Sequence, residues 1–168
     1  MNEFSLLIVT WFTIVTMTNG QESACQGRPM VLGEKRGDTS GVIYTPGFDK
    51  GQPYPEGASC QWLFAPNANM KLFLDFEQFD LGATKGCSGD KVSIKVIDAS
   101  GLSPGKHVRV MCGSDLPRRI PLEAKGITSL DFTSDHYGEN NGFKIRWQYT
   151  NQRPCPQSKS KYICSFII

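Results

Sequence analysis

The six cysteines constrain the fold of this chain more than any other feature of its sequence. They are Cys25, Cys60, Cys87, Cys112, Cys155 and Cys164. An even number of cysteines behind a secretion signal predicts disulfides, which stabilise a domain with a small core. A zinc site is the alternative, but it requires closely spaced Cys or His pairs of the C-x2-4-C kind, and the sequence has none. Six cysteines can pair in many ways, and their positions alone do not choose among them.

The N-terminus has the pattern of a secretory signal peptide. An apolar stretch over residues 6–15 is followed by small and polar residues up to Gly20. We therefore predict that residues 1–20 are a signal peptide and that the mature protein is secreted, extracellular and without a membrane span. The apolar stretch is shorter than the roughly 20 residues that cross a bilayer. Because no basic residue precedes it, an uncleaved signal anchor is the alternative.

The charge of the chain is close to balance. The full chain has a net charge of +2, and removal of residues 1–20 deletes Glu3 and no basic residue, which leaves +3. Nucleic-acid-binding proteins are usually far more basic, because contacts to phosphates supply much of their affinity. We therefore expect no nucleic-acid partner.

Short alternating strands dominate residues 41–149, and Gly, Pro, Asn and Asp separate them. The candidates are residues 42–44, 61–64, 72–77, 91–96, 108–111, 130–132 and 143–149. Since no stretch repeats apolar residues at helical spacing, we predict an all-β sandwich of two antiparallel sheets. The aromatic residues predicted to pack its core are Trp62, Phe73, Phe76, Phe79, Phe132, Phe143 and Trp147.

A set of short motifs in a fixed order identifies a family resemblance. The motifs are GVIYTPGF at 41–48, YP at 54–55, CQW at 60–62, FEQFDL at 76–81, CSGD at 87–90, CG at 112–113, FTSD at 132–135, and GF at 142–143 before Trp147. Together they resemble a CUB domain over residues 25–149. The resemblance implies a jelly-roll β-sandwich with disulfides Cys25–Cys60 and Cys87–Cys112. The segment between Cys25 and Gly41 departs from the family pattern, which does not define its path.

The resemblance also implies a function. CUB domains are not catalytic, and they recognise other proteins, sometimes glycans, through loops at one end of the sandwich. We therefore expect an extracellular or cell-surface protein as partner, with this chain acting as a secreted ligand or a receptor-associated protein. The loop residues predicted to bind are Asp80, Asp90, Asp135, Tyr137 and Asn140.

The residues themselves also argue against an enzyme. The histidines are His107 and His136, and no HExxH, G-x-S-x-G or cysteine–histidine signature accompanies them. No cofactor is expected, with weak calcium as the exception. Many CUB domains bind one calcium ion through a Glu and two Asp residues, and Asp90 and Asp135 match the two Asp positions. The Glu position is Gly82, so the predicted site is weak or lost; the alternative for Asp90 and Asp135 is hydrogen bonding to nearby backbone.

Residues 150–168 form a cysteine-containing tail. The stretch from Cys155 to Cys164 is similar to the start of an LDL-receptor class A module, without the acidic calcium-binding half. One interpretation is a truncated module of a longer receptor-like protein. The other is a small loop closed by a Cys155–Cys164 disulfide.

A glycan-binding or adhesion protein is the alternative function. Lys91 and Lys95 share a strand face, as do Lys144 and Arg146, so a basic patch for sulfated glycans forms if these strands lie in one sheet. The Arg36-Gly37-Asp38 tripeptide also matches the sequence that integrins recognise. An ordinary solvated sheet face and an ordinary glycine turn are the respective alternatives.

Overall fold

The computed structural model describes residues 24–25, 27–33, 38–65, 67, 70–97, 105–124, 126–136 and 140–151. Within these ranges the chain forms nine strands and two short 3₁₀ turns, Phe48–Lys50 and Lys85–Cys87. The strands are β1 (Met30–Leu32), β2 (Ser40–Tyr44), β3 (Ser59–Phe64), β4 (Met70–Asp80), β5 (Lys91–Ile97), β6 (Lys106–Met111), β7 (Ile120–Glu123), β8 (Ile127–Thr133) and β9 (Gly142–Asn151). None of the described helical segments is long and apolar enough to cross a membrane.

The strands build two sheets. One has the order β1-β3-β8-β5-β6 and the other the order β2-β9-β4-β7. All the described pairings are antiparallel except that of β1 with β3, in which Met30 lies opposite Trp62. This confirms the predicted all-β sandwich and adds a short parallel edge strand from the segment before Gly41 whose path was left open.

The core lies between the facing sides of the two sheets. Alternation along β4 buries Leu72, Leu74 and Phe76, and β9 buries Ile145 and Trp147 in the same way. Each such side chain contributes about 1.5–3 kcal/mol when it leaves water. Edge-to-face ring pairs join the sheets, with centroids 5.8 Å apart for Trp62–Phe143 and 5.7 Å for Phe64–Trp147.

One predicted core aromatic is on the other face. Phe73 lies out of phase with Leu72 and Leu74, so its ring points away from the core and is half-buried. The guanidinium carbon of Arg119 lies 4.5 Å from the centroid of this ring. The prediction of core packing was therefore wrong for Phe73, which supports a surface cation–π contact instead.

A β-bulge in β4 changes which residues face the core near the end of that strand. Phe76 pairs with Ile145 and Gln78 with Lys144, which leaves Glu77 as the extra residue. Because of this insertion Phe76 and Phe79 are both buried although they are three positions apart. The bulge therefore shifts the alternation, so that Phe79 faces the core and Asp80, the last residue of β4, does not.

Two disulfides fasten the fold. Cys25 is bonded to Cys60 and Cys87 to Cys112, as the family resemblance implied. The closed loops span 35 and 25 residues, and each bond contributes on the order of 3–4 kcal/mol by restricting the unfolded chain. Cys155 and Cys164 lie outside the described residues.

The predicted basic patch does not form. Lys91 and Lys95 are on β5 and Lys144 and Arg146 on β9, so the two pairs belong to different sheets. The amine of Lys95 lies 2.9 Å from a carboxylate oxygen of Asp131. Lys144 and Arg146 both bind Glu77, at 2.9 and 2.5 Å. The bonds from Lys144 and then Arg146 hold the pKa of the Glu77 carboxyl below its usual value.

Candidate functional site

Four connections meet at one end of the sandwich, which we call the loop end. They are residues 45–58 between β2 and β3, residues 81–90 between β4 and β5, residues 112–119 between β6 and β7, and residues 134–141 between β8 and β9. The binding residues predicted from the sequence come from these connections and from the last position of β4. Of these residues, Tyr137 lies outside the described ranges.

Tyr54 is the centre of the loop end. Its side chain is buried, at 3% exposed, and its ring packs edge-to-face on Phe132 at 5.2 Å. The phenol donates a hydrogen bond to Asp90 Oδ2 at 2.5 Å. It also accepts bonds from the Asn140 side-chain amide at 3.3 Å and from the Gly82 backbone N–H at 3.4 Å. Burial, and after it the bond to Asp90, raises the pKa of Tyr54 to about 12, so the phenol stays protonated.

Asp90 links this centre to the connection between β8 and β9. Its carboxylate is 1% exposed, and Oδ1 accepts the backbone N–H of Asp135 at 2.7 Å while Oδ2 accepts Tyr54. The Asp135 carbonyl in turn accepts the Gly57 N–H at 2.9 Å. Asp90 was predicted to contact a partner; in this structure its side chain is buried and both of its oxygens accept hydrogen bonds within the domain. Its role is to hold three connections together.

Further bonds to the connection between β2 and β3 complete this arrangement. Ser134 Oγ accepts the Ala58 N–H at 2.8 Å and donates to the Pro55 carbonyl at 2.8 Å. Thr45 Oγ1 accepts the Phe143 N–H at 3.2 Å. Ser134 and Thr45, like Tyr54, were given no role from the sequence. Their signal was their place in the FTSD motif and in the segment GVIYTPGF, as that of Tyr54 was the YP motif.

Half-buried Asp80 and exposed Asn141 lie at the border of the loop end. Asp80 Oδ2 accepts both the backbone N–H and the side-chain amide of Asn141, at 3.1 and 2.6 Å. They line a hollow of about 500 Å³ together with Phe48, Gln52 and Gln78. Asp80 and Asn140 were predicted as binding residues, and the structure brings both to the loop end. Asn141 was not predicted.

The residues present do not match the calcium set that the family resemblance implies. Among the described residues no group of three His, Cys, Asp or Glu side chains is placed to hold a metal ion. Both oxygens of Asp90 accept hydrogen bonds, and the Asp135 carboxylate lies against Gly89, where a Cβ would be 2.5 Å from Oδ2. Gly82 supplies no side chain, and a Cβ there would meet Asp90 Oδ2 at 2.9 Å. Each Asp90 oxygen therefore already accepts one hydrogen bond within the domain, and position 82 adds no third carboxylate to the set.

A family comparison identifies this arrangement. The sequence model of the CUB domain matches residues 33–147, which is more than half of the chain. The chain belongs to the CUB domain family. The β-sandwich, the two disulfides and the loop end described above are therefore those of a CUB domain.

The chain is similar to a curated relative in sequence and to two solved structures in fold. The chain is 33% identical to human tolloid-like protein 2 over 110 residues, which cover 64% of this chain and 10% of that protein. The full extracellular region of zebrafish Gpr126/Adgrg6 matches with a TM-score of 0.57 and 22% identity, over 76% of this chain and 15% of that one. The MASP-1 CUB2 domain, solved bound to Ca²⁺, matches with a TM-score of 0.53 and 24% identity, over 74% and 99%. The chain spans about a tenth of the length of tolloid-like protein 2.

Proposed function

We propose that this chain is a non-catalytic, extracellular recognition module that binds another protein through its loop end. It acts as a secreted ligand or as a receptor-associated protein, after removal of residues 1–20 as a signal peptide. The observation that carries the proposal is the hydrogen-bonded network of Tyr54, Asp90 and Asp135, which fixes three of the four connections in one arrangement. Membership of a family of non-catalytic interaction modules supports it.

A fixed loop end suits recognition for a physical reason. Binding loops on a rigid scaffold lose little conformational freedom when a partner binds, so more of the contact energy appears as affinity. The buried part of the network supplies the rigidity, and the more exposed residues supply the contacts. Those proposed to contact the partner are Asp80, Asp135, Asn140 and Asn141, together with Tyr137, which is proposed from the sequence and lies outside the described residues.

The alternative functions have less support. The four basic residues do not share a sheet, and three of them are ion-paired, so nothing described here supports a sulfated-glycan partner. Asp38 is exposed, while Arg36 and Gly37 lie outside the described residues, so adhesion through this tripeptide stays a prediction. The two interpretations of the tail at residues 150–168 also stay predictions, since the structure describes Thr150 and Asn151 of it.

Affinity capture from extracellular material tests the proposal with two matched double variants. One variant carries Asp135→Ala and Tyr137→Ala at the loop end, and the other carries Lys144→Ala and Arg146→Ala on the outer face of β9. We expect the loop-end variant to lose the captured protein and the strand-face variant to keep it. Capture should also survive moderate salt, because it does not depend on one charged face. The reverse ranking of the variants would disprove the proposal in favour of the strand face.

A further inference from the structure

A second surface lies at the edge of the sandwich, between the outermost strands of the two sheets. β6 ends the five-stranded sheet and β7 ends the four-stranded sheet. Between β6 and the segment that leads into β7 is a hollow of about 450 Å³, which we call the edge cleft. Its lining includes Phe79 and Met111, which belong to the core or pack against it, and Leu116 and Pro117 from the segment before β7. This volume is in the range of sites that hold one or a few side chains of a ligand.

The edge cleft is bordered by exposed apolar side chains. Leu116 is 57% exposed and Val110 is 45% exposed, and both line the cleft. Val108, also 45% exposed, is two positions before Val110 on β6. Three of the five large hydrophobic residues exposed in the described part of the chain therefore lie along this edge. A clustered apolar surface of this kind gains free energy when a partner covers it.

Two arginines of the edge cleft have no acidic partner within the described residues. Arg109 and Arg118 line the cleft, and neither forms an ion pair with another residue that the structure describes. The adjacent Arg119, by contrast, bonds Asp75 at 2.8 Å. The charged residues of the lining are Arg109, Arg118 and Asp115, so the lining has a net positive charge. A guanidinium presents a planar fork of donors that matches a carboxylate.

The edge cleft is held rigid from the loop end. The Cys87–Cys112 disulfide fixes the end of β6 to the connection between β4 and β5. Leu81 donates its N–H to the Gly113 carbonyl at 2.9 Å, and Gly113 donates to the Gly82 carbonyl at 3.3 Å. Strand addition to β6 is disfavoured by a bulge, because His107 and Arg109 pair with consecutive residues of β5 and leave Val108 as the extra residue. Recognition here therefore depends on side chains.

We propose that the edge cleft binds a segment of a partner protein in which a large apolar side chain is flanked by carboxylates. The apolar side chain lies against Leu116, Val110 and the wall formed by Phe79. The carboxylates bind the guanidinium groups of Arg109 and Arg118. The edge cleft includes part of the connection between β6 and β7, but its lining contains none of the residues proposed above to contact a partner. Its variants therefore test it independently of the proposed function.

A titration with a defined peptide tests the proposal. The probe is the acetylated and amidated peptide Glu-Glu-Leu-Glu-Glu, added at millimolar concentrations to the ¹⁵N-labelled, disulfide-bonded domain and followed by NMR. We expect chemical-shift changes at residues 109–118. Arg109→Gln with Arg118→Gln should weaken binding about tenfold or more, since each arginine loses a charge-assisted contact. Leu116→Ser should weaken it as well.

Two controls separate the edge cleft from general electrostatic attraction. Lys91→Gln with Lys106→Gln removes the same charge outside the cleft lining and should change the affinity less than about twofold if the contact is specific. The peptide Gln-Gln-Leu-Gln-Gln should bind more weakly than the acidic probe. The proposal is overturned if the acidic probe causes no shifts, if its shifts lie elsewhere, if the neutral peptide binds equally, or if the lysine variant loses as much affinity as the arginine variant.

Discussion

The phenol of Tyr54 donates a hydrogen bond to the carboxylate of Asp90, 36 positions later in the chain, at an oxygen–oxygen distance of 2.5 Å. Both residues are buried, and the other carboxylate oxygen of Asp90 accepts the backbone N–H of Asp135. In this CUB domain the pair joins the connections that follow β2, β4 and β8. A buried carboxylate stays favourable only when its oxygens are hydrogen-bonded, so the loop end depends on these two donors.

Tyr54→Phe tests this dependence directly. The change removes the donor to Asp90 Oδ2, and an unsatisfied buried acceptor costs about 1–3 kcal/mol of the free energy of unfolding. Denaturant unfolding measures that loss, and hydrogen exchange should show reduced protection of the Asp135 amide, which bonds Asp90 Oδ1.

Tyr149→Phe is the matched control for this experiment. Tyr149 is also buried, and its phenol donates to the Ala65 carbonyl at 2.5 Å, at the opposite end of the sandwich. The Tyr149→Phe variant should lower the free energy of unfolding without changing the hydrogen-exchange protection of the Asp135 amide. If both variants alter the Asp135 amide equally, the Tyr54–Asp90 bond has no special role at the loop end.

Stability at high pH should fall in a defined window. Burial raises the pKa of Tyr54 to about 12 from its usual 10.0, and burial does the same for Tyr149. Because the pKa is higher in the folded state, the protonated tyrosine stabilises the fold fully below about pH 10. That part of the free energy of unfolding is lost as the pH rises towards 12. Denaturant unfolding across this window should show a shallower loss for Tyr54→Phe than for the unchanged protein. If the free energy of unfolding falls equally steeply with pH in both proteins, the pKa of Tyr54 is not raised by folding.

Gly82→Ala tests the space around Asp90. The added Cβ would lie 2.9 Å from Asp90 Oδ2, the oxygen that accepts the Tyr54 hydrogen bond, so the carboxylate or the backbone at position 82 must shift. We expect a loss of about 1–3 kcal/mol in the free energy of unfolding. In a Tyr54→Phe background the loss should be smaller, because the bond it disturbs is already absent. Additive losses in this double-mutant cycle would mean that Gly82 and Tyr54 act separately.

Peptide mapping without reduction tests the covalent structure. It should recover Cys25 linked to Cys60 and Cys87 linked to Cys112. A cross-pairing such as Cys25 with Cys87 would contradict the fold. For the tail, a Cys155–Cys164 peptide would support the closed loop, whereas free or intermolecular thiols would support the truncated module.

Much of the fold could be predicted because alternation and turn residues are local properties of the sequence. The strand pattern of residues 72–76 and 143–149 follows from side chains alone, and the ordered motifs identify the family. The bulge at Glu77 could not be read in this way, since burial of both Phe76 and Phe79 breaks strict alternation. Sheet membership is also non-local, so the sequence could not show that Lys91 and Lys144 lie on different sheets.

The loop end was predicted in position but not in mechanism. Asp90 and Asp135 were identified from their motifs, and weak calcium binding, predicted because position 82 is a glycine, stays a prediction. What the sequence could not give is the burial of Asp90 and its bond from Tyr54, because these depend on how separate loops fold against each other.

A thermal melt of the disulfide-bonded domain in millimolar calcium against excess EDTA tests the central claim most directly. The claim is that the Tyr54–Asp90 bond, rather than a metal ion, organises the loop end. With a dissociation constant of about 1 mM and a similar calcium concentration, linkage adds only about 0.4 kcal/mol. The melting temperature should therefore rise by no more than about 1–3 °C with calcium. A rise above about 8 °C would reveal a competent calcium site and contradict this account.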